Sequence, residues 1–573
     1  MKQFLWKIGG EAGFGILTTG IFFSKIAARL GYHIFDYIEY PSLIRGGHNA
    51  YDVLVSDAPV FASKSIIDLL VCLNKDTYTL HNKQLIPSTL VMYDPDEFDF
   101  EEDRIKIKVP FKKILKELNG QAIMKNTIAL GASLALLGTD LDELNNILTG
   151  QFSRKGDEIV NFNKQFAKAG FDYIYNNYAG QKVELLEKRE NEKQLVLTGN
   201  ESFALGAAIA NCRLYVAYPM TPSSSVLSVL AAWQNKMGMV VRHAEDEISV
   251  INTALGGSIA GVRSAVGTSG GGFALMVESI SFSGVAEIPI VIFLSSRPGP
   301  ATGMPTWTEQ GDLLFTVHAG HGEFPKIVLA PGTVEEMVEL SVKAFDLADI
   351  YQVPVIVMSD MLLSESHKSM NESFVNGLVS TYKPDRGQTI NKTDAKPYLR
   401  FKITDDGISP RLIPGQKGVF YQANSYEHLE DGHTTEDSSE RIKQADKRDR
   451  KTATYLKNHF KSPEVIGDID RSEIVFVSWG STRGVLLEAQ RDLQMKNIST
   501  SILHFTHMFP LDSNQITPYF SKQKRYILVE NNAQGQFGKL LRMETGVTLS
   551  EKILKYDGRP LLREEIMSYV TKK

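Results

Sequence analysis

The chain has 573 residues, 43% of them hydrophobic and 23% charged, which is the balance of a folded globular protein and excludes a largely disordered one. At roughly 150 residues per domain, this length calls for about three or four domains. Lys and Arg number 62 against 67 Asp and Glu, and the net charge of −5 is too balanced to hold nucleic acid or an anionic membrane by its field. Two cysteines, Cys72 and Cys212, exclude a disulfide scaffold, a four-cysteine zinc site and an iron–sulfur cluster ligated by this chain alone. Both read as small buried hydrophobes. The N-terminus runs from a short apolar stretch straight into glycines, with no h-region of signal-peptide length. No apolar run approaches the roughly 18 residues of a membrane span. The expectation is a soluble protein of a reducing, cytoplasmic compartment.

Residues 1–190 read as one α/β unit. An apolar strand over 3–8, a glycine cluster from Gly9 to Gly15, a helix over 16–30 and a strand near 32–38 follow the grammar of a parallel βαβ unit. The spacing Gly10-x-x-Gly13-x-Gly15 reverses the dinucleotide fingerprint Gly-x-Gly-x-x-Gly. It reads as a tight strand–helix turn, with an NAD site using Asp36 as the alternative. Residues 182–193, rich in Glu, Lys, Arg and Asn, read as a solvated helix or linker that closes this domain.

A second α/β unit, 195–370, opens with the apolar run 195–197. It continues through strands near 214–217, 239–242, 264–267, 288–294 and 353–359, with glycine-rich turns where doubly wound sheets place ligands. Residues 371–468 read as a connector. Six acids and no Lys or Arg lie over 427–440, and six basic residues against two acids over 441–451, a switch that reads as solvated and mutually paired. The last unit, 469–573, carries a strand over 473–478, a helix over 485–495 and strands over 500–505 and 526–530. Three α/β units on one chain point to a multidomain enzyme subunit more than to a binding module.

Four loops of the second unit carry chemistry. Tyr218-Pro219-Met220-Thr221-Pro222-Ser223-Ser224-Ser225 lies between a strand and a helix, where free N–H groups and a positive dipole favour an anion or a carbonyl oxygen. One hydroxyl would suffice as a helix cap; four are a surplus. In His243-Ala244-Glu245-Asp246-Glu247, the first two acids read as ordinary dipole partners. Glu247 begins the apolar face, and a carboxylate pointing inward needs a partner that a ligand nitrogen could supply. Thr268-Ser269-Gly270-Gly271-Gly272 lets backbone approach a ligand closely. Arg297, on the proline-stiffened run Arg297 to Thr306, can hold a carboxylate bidentately. His504 and His507 have neither helical spacing nor a third ligand and read as packing, so no metal site is expected on this chain.

Together these motifs resemble the α subunit of the 2-oxoacid:ferredoxin oxidoreductases, in the form with its γ domain fused at the N-terminus. The resemblance rests on Tyr218 to Ser224, Glu245 to Glu247, Thr268 to Gly272 and Arg297 to Thr306. It extends to the γ-like Glu-Tyr-Pro-Ser-Leu-Ile-Arg-Gly-Gly-His-Asn at Glu39 to Asn49, to Ser409-Pro410-Arg411 with Pro414-Gly415, and to Glu530-Asn531-Asn532 with Gly535-Gln536. Met220 replaces the usual isoleucine, a volume-conserving change. Gly271 stands where proline is frequent and is expected to loosen its loop.

The resemblance implies three α/β domains: γ-like, pyrimidine-type thiamine-diphosphate-binding, and transketolase C-terminal-like. It implies CoA-dependent oxidative decarboxylation of a 2-oxoacid with electrons passed to ferredoxin. Glu247 would be the carboxylate at the aminopyrimidine N1′ of thiamine diphosphate, with Tyr218, Pro219, Thr268, Ser269 and Gly270 around the cofactor. Thr221 would hydrogen-bond the substrate near its reacting carbonyl, Arg297 would clamp its carboxylate, and Thr306 would line the same pocket. The pyrophosphate and Mg²⁺ motif is missing: Gly467-Asp468-Ile469 with Asn497 lacks its second glycine and precedes a strand. A β subunit is therefore implied, carrying Mg²⁺, the 4Fe-4S cluster and half of the thiamine diphosphate site, in a dimer of αβ units; this chain alone would be inactive. The fused γα arrangement favours 2-oxoglutarate. Pyruvate or branched-chain 2-oxoacids, a non-catalytic assembly role and an NAD-linked dehydrogenase are the alternatives.

Overall fold

The structure is a computed structural model and describes residues 2–42, 47–181, 183 and 185–572. It divides into two compact units, one of residues 1–197, 366–377 and 562–565, the other of 198–365, 378–561 and 566–573. Among the described residues no helix is long and apolar enough to cross a membrane.

The first unit is built on an eight-stranded sheet, in the order Ile105–Lys108, Leu90–Tyr93, Leu69–Cys72, Gln3–Glu11, His48–Ser56, His33–Glu39, His367–Asn371, Gln194–Thr198. The parallel βαβ expectation for its start is corrected. The helix Ile16–Arg29 does join two strands of like direction, but His48–Ser56 is inserted between them, antiparallel to both. Lys7 explains the register. It is fully buried opposite Asp52, 3.1 Å away, and a one-residue slip would bury its ammonium without this counter-charge.

Two further expectations change here. The run 195–197 does not open the second unit; Gln194–Thr198 is the edge strand of this sheet, beside the returning strand His367–Asn371. Residues 183 and 185–193 form no helix. The Tyr32 hydroxyl donates to the carbonyls of Leu185 and Glu187, at 2.6 and 3.0 Å, and Leu186 is buried. Residues 182 and 184 of that stretch, and 43–46 of the Glu39 to Asn49 motif, lie outside the described residues. Asp36 is engaged within the fold, accepting hydrogen bonds from the Ser24 hydroxyl, the Tyr51 hydroxyl and the His367 backbone N–H at 2.8, 2.6 and 2.6 Å.

The second unit holds a seven-stranded sheet, ordered His507–Phe509, Ile327–Leu329, Pro354–Asp360, Ile290–Ser296, Arg263–Thr268, Cys212–Ala217, Val240–His243. All pairs are parallel except the first, so a strand from the last 100 or so residues completes the edge of the central sheet. A separate five-stranded sheet, Glu464–Ile466, Thr500–Phe505, Ile474–Trp479, Arg525–Glu530 and Glu551–Leu554, forms the C-terminal layer.

The connector is not simply solvated. Its helix Ser438–Asn458 buries Lys447 and Lys451, each with its ammonium 2.6 Å from the carboxylate of Glu287, itself fully buried. Burial pulls Lys447 down to about 7 against the attraction of Glu287. Other charges of the switch are paired locally: Glu427 with Arg441 and Arg448, Glu440 with Lys443. The long alkyl stems make this burial possible, and a carboxylate far away in sequence supplies the counter-charge.

Removing Glu287 leaves two buried ammonium groups without their acid. Glu287→Ala is expected to lower the free energy of unfolding by about 3–5 kcal/mol, read as a shift of the denaturant midpoint. His507 supplies a second expectation. Its Nδ1 lies 2.6 Å from the Tyr455 hydroxyl, and burial, with the charges of Lys461 and Lys343, lowers it from 6.5 to about 3. The unfolded imidazole takes up a proton that the native one refuses, so this stabilisation is present above pH 6.5 and lost as pH falls toward 3. His507→Gln should flatten the pH dependence of thermal unfolding in that window.

Candidate active site

The parallel strands Cys212–Ala217, Arg263–Thr268 and Ile290–Ser296 are neighbours, and the loops that follow them meet at one end of the sheet. The edge strand Val240–His243 leads into the helix Glu247–Ile259. Asp246 caps that helix in extended conformation, its side chain accepting from the Ser249 N–H at 2.7 Å. Glu245 stays exposed. The cap sets Glu247 in the first turn, turned inward and only 4% exposed, and its Oε1 has no hydrogen-bond partner among the described residues.

The helix Gly270–Val285 begins beside it. Ser269 precedes it in extended conformation and makes no side-chain cap bond, so the first-turn N–H groups are not taken up by it. Gly272 has no room for a side chain: a Cβ there would fall 2.5 Å from Glu247 Oε1 and against Thr268 Oγ1. At Gly270 a Cβ would fall 2.7 Å from Asp312 Oδ2. The buried Glu247 and the half-buried Asp312 therefore flank a helix N-terminus made of glycines, whose positive end favours both carboxylates. Gly271, by contrast, faces open space within an ordered helix.

Arg297 follows the strand Ile290–Ser296 and donates from Nη1 to the Thr221 carbonyl at 2.7 Å, which brings two of the expected residues together. Burial lowers its pKa while the charge of Asp312 opposes the shift; burial likewise pushes Asp312 up, with the Ser296 hydroxyl and then Arg297 opposing. The loop after Tyr218 is braced from inside. Asn200 Nδ2 donates to the Pro222 carbonyl and the Ser225 hydroxyl, both at 2.7 Å, and the Ser223 hydroxyl donates to the Met220 carbonyl at 2.9 Å. Two of the surplus hydroxyls thus hold the loop's own shape. Tyr218 and Pro219 are exposed at the rim, with the Tyr218 ring 6.0 Å from that of His243. Thr268, Ser269 and Thr306 are buried.

Four buried polar atoms in these loops lack a partner among the described residues: Glu247 Oε1, Ser269 Oγ, Thr306 Oγ1 and Asp312 Oδ2. Buried polar atoms are ordinarily satisfied, and orphans gathered at strand ends mark a place for a ligand. Asp312 was not foreseen from the sequence. It stands just before the short helix Leu313–His318, where an Asp reads as an ordinary cap, yet its side chain makes no cap bond.

The segment around Asp312 is held by the C-terminal layer, which locates the Glu530-Asn531-Asn532 and Gly535-Gln536 motif. Gln310 and Asn531 exchange hydrogen bonds at 2.7 and 2.9 Å. Gln536 accepts from Leu314 N–H at 2.9 Å and donates to the Gly311 carbonyl at 2.6 Å. Gly467, Asp468 and Asn497 do line one pocket of about 480 Å³, but where the strands Ile474–Trp479 and Thr500–Phe505 begin, away from their C-terminal ends. His504 Nδ1 lies 3.2 Å from the Ser478 hydroxyl, and among the described residues no three His, Cys, Asp or Glu side chains are grouped to hold a metal.

Parallel strand ends converging on an orphaned carboxylate define a cofactor-binding α/β enzyme subunit, and three family models name its parts. Residues 5–173 match the pyruvate ferredoxin/flavodoxin oxidoreductase model, 205–447 the thiamine-diphosphate-binding model of the pyruvate flavodoxin/ferredoxin oxidoreductases, and 466–543 the transketolase C-terminal domain. The 2-oxoacid:ferredoxin oxidoreductase subunit alpha of a Sulfolobus species is 32% identical, over 98% of this chain and 95% of its own. The 2-oxoglutarate oxidoreductase subunit KorA of Mycobacterium tuberculosis is 26% identical over 100% and 91%. The structure of 2-oxoglutarate:ferredoxin oxidoreductase from Magnetococcus marinus, with 2-oxoglutarate, coenzyme A and succinyl-CoA bound, matches with a TM-score of 0.91 at 28% identity, covering 100% of this chain and 99% of that one. The chain belongs to the alpha subunits of the 2-oxoacid:ferredoxin oxidoreductases.

A methyl group at position 272 would collide with the Glu247 carboxylate. Gly272→Ala is expected to weaken thiamine diphosphate binding by the assembled enzyme about tenfold or more, with an unchanged circular dichroism spectrum. Titration of the cofactor into the apo complex reads this directly.

Proposed function

We propose that this chain supplies the pyrimidine half of a thiamine diphosphate site in a CoA-dependent 2-oxoacid:ferredoxin oxidoreductase whose substrate is 2-oxoglutarate. In this reading a β subunit brings the pyrophosphate and Mg²⁺ half and the 4Fe-4S cluster, ferredoxin takes the electrons, and the assembly is a dimer of αβ units in the cytoplasm. The observation that carries it is Glu247: a buried carboxylate oxygen without a donor, in a cradle that a Cβ would fill, fits a flat ring nitrogen that must be held protonated. Bound thiamine diphosphate supplies the nucleophilic carbon and electron sink for decarboxylation.

The chain's own residues then orient and hold. Glu247 Oε1 keeps a proton at the cofactor's N1′. Arg297 has one nitrogen on the Thr221 carbonyl, and its remaining donors clamp the substrate carboxylate. That bond also sets the backbone of Thr221, whose side chain meets the reacting carbonyl. Thr306 Oγ1, buried and without a partner among the described residues, is left to hydrogen-bond a ligand in the same pocket. Support for 2-oxoglutarate comes from relatives named for that substrate, among them KorA of Archaeoglobus fulgidus at 30% identity over 65% of this chain.

The test begins with the native complex, isolated through a tag on this chain and assayed anaerobically for CoA-dependent viologen reduction. With 2-oxoglutarate, pyruvate and a branched 2-oxoacid side by side, 2-oxoglutarate should give the highest kcat/KM. Glu247→Ala should cut turnover by about 100-fold or more with the complex intact. Turnover within a few-fold of wild type would make this an assembly subunit instead. Reduction of NAD in place of viologen would replace the electron acceptor of the reading.

A further inference from the structure

The loop 297–308 carries Arg297 and Thr306, and its outer half, 299–304, is exposed. Its inner end is tied to the second unit's core, where the Thr308 hydroxyl lies 3.2 Å from an Asp360 oxygen. What holds the outer half comes from the far end of the chain, in the turn 557–559 of the same unit. The Thr308 N–H donates to the Gly558 carbonyl at 3.1 Å. Gly558, at φ +80°, is packed so closely that a Cβ would meet Met304 Cε at 3.1 Å and Trp307 Cβ at 3.2 Å. The guanidinium of Arg559 lies over the Trp307 ring, 3.2 Å from its centroid. The turn itself is set by the Asp557 carboxylate, which accepts from the Arg559 N–H at 2.9 Å, and by Asn531 Nδ2, which donates to the Arg559 carbonyl at 3.3 Å.

Among the described residues no carboxylate pairs with Arg559. A guanidinium left without an acid and placed over an indole face is an interaction of cation with π face, strengthened where water is excluded. Trp307 is the residue next to Thr306, so whatever holds the indole also sets where the Thr306 hydroxyl points. The loop has few other tethers on this side: the Met304 N–H donates to the Pro298 carbonyl and the Trp307 N–H to that of Met304, both bonds internal to the loop.

We propose that Arg559 is a positioning residue for the 2-oxoacid pocket, holding the loop 297–308 in its binding conformation through its stack on Trp307. This rests on the reading above of Arg297 and Thr306 as substrate ligands. Arg559 acts on substrate binding and not on the cofactor carboxylate, because its side chain meets the loop at Trp307, while its neighbour Gly558 meets Met304 and Thr308, and none of these residues bonds Glu247 among the described residues.

The test uses the complex co-purified with each variant chain. Arg559→Ala is expected to raise KM for every 2-oxoacid turned over by about five- to tenfold, leaving kcat and KM for CoA within about twofold. Arg559→Lys, which keeps the cation but loses the planar stack, should fall between. Trp307→Ala should reproduce the effect, and the double variant should be no worse than either single one, the mark of two groups acting as a unit. Additive effects, a parallel fall in kcat, or a rise in KM confined to dicarboxylic 2-oxoacids would overturn the proposal, the last by showing direct contact with substrate. Arg297→Ala is measured alongside. If it raises KM and Arg559→Ala does not, only this proposal fails; if Arg297→Ala leaves KM unchanged, the pocket reading fails and takes this proposal with it.

Discussion

A carboxylate withdrawn from water must find a donor or a counter-charge, and among the described residues Glu247 Oε1 finds no donor. Much of the second unit is arranged to tolerate that. Asp246 takes the capping duty and leaves Glu247 free to turn inward. Gly272 gives up a side chain so that the carboxylate fits against the start of the next helix. The positive end of that helix lowers the cost without supplying a bonded partner. An oxygen left in this way suits a site completed from outside, and Glu247 lies within the residues that match the family's thiamine-diphosphate-binding model.

Asp312 repeats the theme on the other side of the same helix start. It forgoes the local cap that its position offers and stands within the field of Arg297. The cost is met by rigidity elsewhere. Gln310, Asn531 and Gln536 pin the backbone on both sides of it, and Glu530 secures its own loop by accepting from the Asn532 side chain at 2.6 Å and the Phe537 N–H at 3.0 Å. The C-terminal layer is thus more than an appended domain: it lends the strand His507–Phe509 to the central sheet and braces the loops around the site.

The parts of the site that could be read in advance were those whose signal is local. Strand, loop and helix start follow one another within about ten residues at Tyr218, Glu247 and Ser269, and Arg297 directly follows its strand, so periodicity with capping chemistry is enough to place them. Glu247 is the clearest case, since its inward direction follows from where the apolar face begins. Three features were not legible because their partners are remote. His48–Ser56 inserts antiparallel between two strands that a helix joins, and the Lys7–Asp52 pair that sets its register spans 45 positions. The edge strand Gln194–Thr198 is claimed by the first sheet only because His367–Asn371 returns to pair beside it. Lys447 and Lys451 look like a solvated helix face until Glu287 is placed against them.

By itself, then, the sequence determined the α/β class, the succession of three domains, the four loops gathered at the strand ends and the identity of the inward carboxylate. Each depends on residue types at short, periodic spacing. The tertiary structure alone decided the mixed order of the first sheet, the burial of the connector's lysines, the role of Asp312 and the seating of the Arg297 loop on Arg559. In those cases the deciding energy is a contact between distant segments, either a buried charge meeting its counter-charge or a planar cation meeting a ring. Composition and spacing carry no record of which distant group will be the partner.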